Sequence, residues 1–143
     1  MIKKELTLAY IHEKKNGHSI LNIGLSELSD NKNFKKKPYI LVIKSFKEKY
    51  ARITLYPIKI NKLIKISLSG MNIHNDAILE LSRIFQNFNV IHTTGLIIKG
   101  NEFYYECYFN FSISDTKTKV LKTSLNKIKN IFKVIKIEEI GLT

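Results

Sequence analysis

Between residues 63 and 140 the spacing of apolar side chains switches from two to 3.6 and back, twice. No other feature constrains the fold as much. A period of two puts successive side chains on opposite faces of a strand, and a period of 3.6 draws one stripe along a helix. Leu63 to Leu68 alternates. From His74 to Phe88 the apolar residues Ala77, Ile78, Leu81, Ile84, Phe85 and Phe88 make one helical stripe. Val90 to Ile98 reads as strand, Lys99-Gly100-Asn101-Glu102 as a turn, and Phe103 to Ile113 as a long aromatic strand. A second helix is expected over 116–132, with Val120, Leu121, Leu125, Ile128, Ile131 and Phe132 on its apolar face, and Val134 to Ile140 is the last strand. The order is β, α, β, β, α, β. Two right-handed crossovers on one antiparallel sheet put both helices on the same side. In the aromatic strand, Phe103, Tyr105, Cys107, Phe109 and Phe111 then face the helices. Tyr104, Glu106, Tyr108 and Asn110 face the other way.

The first sixty residues keep period two. Leu6 to Ile11 reads as a strand, Asn16-Gly17 as a hairpin turn, and Ser19 to Gly24 as the return strand. A polar loop is expected from Ser29 to Lys37, carrying Lys35, Lys36 and Lys37. Tyr39 to Phe46 and Tyr50 to Tyr56 make a second hairpin that Pro57 ends. The expected organisation is α+β: a small all-β domain of two hairpins over residues 1–60, then a βαββαβ domain over 61–143.

Within the second domain, Ile66-Ser67-Leu68-Ser69-Gly70, the helix Ile78-Leu79-Glu80-Leu81-Ser82-Arg83-Ile84-Phe85 and the entry Phe88-Asn89-Val90-Ile91-His92-Thr93 resemble the opening of an ACT domain. That resemblance implies a ferredoxin-like fold and a regulatory module binding an amino acid or related small metabolite, with ligand-linked association into a homodimer. It places the ligand at the loop after the first strand, here Gly70, Met71, Asn72, His74 and Asn75. Gly70 stands where the family has its first glycine and Asn72 where it has an aspartate. The family's proline and second glycine are absent, with His74 and Asn75 in their region. Backbone amides at the start of the helix would suit a carboxylate, and Asn72 or Asn75 suits the helix cap. On the open face, Tyr104 and Tyr108 are candidate contacts for a partner or ligand.

Composition narrows the alternatives. A formal charge of +12 favours polyanions, but only Arg52 and Arg83 among the 24 basic residues are arginines. Arginine supplies most bidentate recognition of phosphates and bases, so weak, sequence-indifferent nucleic-acid binding is the expectation from charge. Lys119, Lys122, Lys129 and Lys133 line up along the second helix. The single cysteine, Cys107, excludes a disulfide within the chain and any cysteine-rich zinc site. His12, His18, His74 and His92 lack metal-ligand spacing. No nucleophile–base pair, phosphate-binding glycine loop or metal set is visible, so the expectation is a non-enzyme without cofactor. No apolar run suits a signal peptide or a transmembrane helix, and a cytoplasmic protein without membrane association is expected.

Overall fold

The computed structural model describes residues 5–14 and 32–143. The chain is α+β with mostly antiparallel sheets, and it divides into two compact units. The first comprises residues 1–62 and 140–143; the second runs from Leu63 to Glu139.

In the first unit, β1 (Thr7–Glu13), β2 (Tyr39–Phe46) and β3 (Ala51–Ile58) form an antiparallel sheet in that order. The hairpin between β2 and β3 closes through Lys47 N–H donating to the Tyr50 carbonyl at 2.8 Å. Ile40, Leu41, Val42 and Ile43 are all buried, as expected for a central strand of continuous apolar character. Residues 140–143 return to this unit. Ile11 N–H donates to the Gly141 carbonyl at 3.0 Å, and Thr143 N–H donates back to the Ile11 carbonyl at 3.3 Å. The hairpin expected around Asn16-Gly17 lies outside the described residues. The stretch read as a polar loop contains a short helix, α1 (Lys32–Lys36). Its local anchor is the Lys14 ammonium, which donates to the Phe34 carbonyl, a contact between distant residues that period and turn signals do not encode.

The second unit contains β4 (Leu63–Met71), α2 (Asn75–Gln86), β5 (Val90–Thr93), β6 (Ile97–Lys99), β7 (Glu102–Phe109), α3 (Thr116–Asn126) and β8 (Val134–Ile140). The strand order is β5-β7-β4-β8, with β6 also paired to β7. Register sets the faces. Ile64 pairs with Phe109, Ile66 with Cys107, and Leu68 with Tyr105. All of these but Tyr105, which packs against them partly buried, join Leu81 and Phe85 of α2 and Leu121 and Leu125 of α3 in one buried cluster, so both helices cover the same face. Aromatic rings fill much of it: Phe85 meets Phe109 edge-on at 5.2 Å, and Phe103 meets Phe132 at 5.7 Å.

Element ends differ from the expectations for identifiable reasons. The strand expected over Val90 to Ile98 is two strands, because Gly95 takes φ +70 between them. The hydroxyls of Thr93 and Thr94 accept from Gly95 N–H and Glu106 N–H, each at 3.0 Å, while Thr94 N–H still donates to the Glu106 carbonyl at 3.0 Å. The second helix stops at Asn126 rather than continuing to Phe132. Tighter turns follow, with Ile128 N–H to Leu125 O at 3.1 Å and Ile131 N–H to Ile128 O at 3.0 Å. They still bury Ile128 and Phe132, so the apolar spacing survives without the α-helix. Val120, expected on the apolar face, is 57% exposed. The Asp115 carboxylate caps this helix by accepting from Lys117 N–H at 2.9 Å.

Candidate functional site

The loop after β4 is shorter than its sequence suggested. Gly70 and Met71 belong to the strand, opposite Phe103 and Glu102 of β7. Gly70 is buried, and a Cβ there would stand 2.6 Å from Phe103 Cζ and 3.0 Å from the Ile131 carbonyl oxygen. Close packing is therefore a sufficient reason for glycine at this position. Asn72 takes φ 55, and its N–H donates to the Asn101 carbonyl at 2.9 Å. The helix cap is neither asparagine. His74 holds the N-cap backbone conformation without a capping side-chain bond, and Asn75 is the first helical residue. Met71, Asn72, His74 and Asn75 are exposed, and none of them lines the cleft described next. Between them Ile73 turns inward, packing against the core of this unit.

Ile73 opens onto a cleft of about 550 Å³ within the second unit. One wall is α2, where Ala77, Leu81 and Phe85 form one row and Ile78, Ser82 and Gln86 the next. The opposite wall is Val90, Thr93 and Leu96, and the floor is Phe103, Tyr105 and Phe132. Phe88 and Asn89 close one end. The polar groups are few. Tyr105 stacks on Phe85 at 5.8 Å, with Thr93 and Cys107 near its hydroxyl. Burial pushes its phenol upward in pKa, with the Thr93 bond opposing.

Tyr105 came into the sequence reading only as a helix-facing core residue, and the cleft itself was missed. The available signal was the width of the α2 stripe. Ile78 beside Ala77 and Phe88 beyond Phe85 make it broader than one line of core contacts requires, and Ser82 and Gln86 follow Ile78 at steps of four.

On the other side of the sheet the residues differ in exposure, from exposed Asn110 to buried Lys65, Glu106 and Tyr108. Tyr108 is fully buried, with the Lys65 ammonium 5.8 Å from its ring centroid and the His92 ring 6.0 Å away. It cannot serve as an exposed contact. Glu106, buried beside it, pairs with Lys65 at 3.4 Å, and Lys65 also lies 3.8 Å from Glu138. Pairing offsets part of the desolvation cost that each of these two buried charges carries. Tyr104 is half-buried and donates to the Glu102 carboxylate, which raises the phenol's pKa. His92 sits opposite Tyr108, whereas Cys107 points to the helices, so these two form no Cys–His pair. Burial pushes the Cys107 thiol up to about 12, with bonds from Tyr105 and the Tyr108 backbone opposing, which keeps it protonated and poorly nucleophilic at neutral pH.

Lys119, Lys122, Lys129 and Lys133 are exposed. Among the described residues no group of His, Cys, Asp and Glu could hold a metal ion, and no helix is long and apolar enough to cross a membrane. No family model, no curated protein and no solved structure matches the chain.

Proposed function

We propose that residues 63–139 form an ACT-like regulatory module of ferredoxin-like fold that binds a small metabolite, acting through ligand-linked association of two copies. The single observation that carries this reading is the cleft between α2 and the strands β5 and β7. Its volume is in the range of small-molecule sites, and its lining combines apolar walls with a few polar groups. The strand order β5-β7-β4-β8 with both helices on one face supports the fold assignment. The exposed residues Met71, Asn72, His74 and Asn75 adjoin the cleft through Ile73 and are the part of the loop left for a ligand's polar end. β5 ends the sheet, and Val90 on it is 39% exposed, which supports an edge at which a second copy could add.

A thermal-shift screen of amino acids and neutral metabolites, followed by sedimentation with and without the hit, tests the reading. A ligand at about a hundred times its Kd stabilises by roughly 2.7 kcal/mol. The expected result is a concentration-dependent rise in Tm with a shift toward dimer. A screen without any hit, on a chain that sediments as monomer throughout, would reject it.

A second reading has its own support. The exposed lysines 119, 122, 129 and 133 lie on a helix and turn without an acidic residue between 116 and 137. This favours weak polyanion binding, tested by the dependence of affinity on salt.

A further inference from the structure

Resting on the proposal that the cleft under α2 holds a ligand, we infer that this ligand is an uncharged, largely apolar molecule, with Tyr105 as its specificity-determining contact. It is not a zwitterionic amino acid held by charge. A quarter of the chain is charged, yet none of the residues lining the cleft is Asp, Glu, Lys, Arg or His. An ammonium or carboxylate inside it would lose hydration without gaining a counter-charge. The loop does not supply the missing charge. Its carboxylate-binding candidate is the start of α2, where the N-cap His74 is exposed and the inward residue is Ile73. An apolar body is favoured instead, against Ile73, Leu81, Leu96 and the ring of Phe85.

The polar requirement is narrow. A phenolic hydroxyl can both donate and accept a hydrogen bond, and Tyr105 brings one to the lining of the cleft. Its ring stacks on Phe85 with centroids 5.8 Å apart, which restrains the side chain before a ligand arrives. A ligand with one hydrogen-bonding group on an aromatic or alicyclic body meets both conditions.

Indole and L-tryptophan make the decisive pair, because they share a ring system and differ by the zwitterion. Binding is followed by calorimetry and by methyl NMR shifts of Ile73, Leu81 and Leu96. Indole is expected to bind at least ten-fold more tightly than L-tryptophan and to move those methyl signals. Tyr105→Phe should weaken indole about five-fold, the worth of one neutral hydrogen bond. Ser82→Trp, a change at an exposed position on the cleft wall, should abolish binding without unfolding the chain. Tighter binding of L-tryptophan, with the same methyl shifts, would overturn the inference and leave the cleft as a ligand site. If neither compound bound and Ser82→Trp raised Tm, the cleft would be a packing gap, and both the inference and the ligand-module reading would fall.

Discussion

Gly70 shows how a single residue can carry two meanings in a sequence. Its place before a helix suggested a ligand loop, whereas its surroundings demand the absence of a side chain. Gly70→Ala puts a methyl group against Phe103 and the Ile131 carbonyl. Overpacking of this kind costs about 1–3 kcal/mol, and urea melts should show that loss with no ligand present. A neutral result would mean that Phe103 moves freely and that packing is not the reason for glycine. Cys107 gives a second test at this scale. Its thiol titrates near 9.0 when ordinary and near 12 here. Between those values the unfolded chain has lost the proton and the folded chain keeps it, so stability falls as pH rises. The limiting slope is about 1.4 kcal/mol per pH unit, and the slope vanishes only well below pH 9, where the unfolded thiol also keeps its proton. Lysine and tyrosine titration overlap the window, so the measurement is the difference in slope between the native chain and Cys107→Ala. Equal slopes would show that the thiol is not protected.

At the scale of elements, the two helices separate what spacing encodes from what it does not. In α3, Leu121 and Leu125 are buried while Val120, one residue away, is exposed. Leu125→Asp should cost several kcal/mol by burying an unpaired charge, while Val120→Asp should stay within about 0.5 kcal/mol. Similar losses from both changes in denaturant melts would mean that the face is misplaced. The helices and strands of the second unit were legible because each has a sustained period. The break at Gly95 was not, because Val90 to Ile98 keeps a strand-like composition and the interruption coincides with hydroxyl bonds at Thr93 and Thr94. The end of α3 at Asn126 was hidden for the opposite reason, since tight turns preserve the burial of Ile128 and Phe132. Neither was the burial of Tyr108 legible: alternation says which face a residue is on, not whether that face is wet. The Lys65–Glu106 pair lies on that same face, and its two halves should differ from their sum. Glu106→Leu alone should cost about 3–5 kcal/mol by burying the Lys65 ammonium without the Glu106 carboxylate, softened by Glu138 at 3.8 Å. The double change Glu106→Leu with Lys65→Met should restore most of it. A double-mutant cycle showing simple additivity would mean that the pair is not coupled.

For the molecule as a whole, the charge of +12 is the property that does not depend on any one site. It raises the local concentration of polyanions near the surface at low salt and gives no sequence readout by itself. The acid-free run from 116 to 137 concentrates part of this charge at Lys119, Lys122, Lys129 and Lys133, all exposed. Each lysine that neutralises a phosphate adds about 0.9 to the slope of log affinity against log salt on duplex DNA. If that run is the contact surface, replacing these lysines with glutamine should lower the slope by roughly 3 to 4. The loss should be the same for oligonucleotides of different sequence, because lysine acts as a point charge and the arginines are too few to read base edges. Fluorescence anisotropy between about 50 and 200 mM salt measures the slope directly. Binding that keeps its slope in the quadruple variant would move the contact elsewhere on the chain. Discrimination between sequences that persisted at the higher salt would give the nucleic-acid reading precedence over the ligand module. The expected outcome is steep salt dependence without such discrimination, which would assign the attraction to net charge.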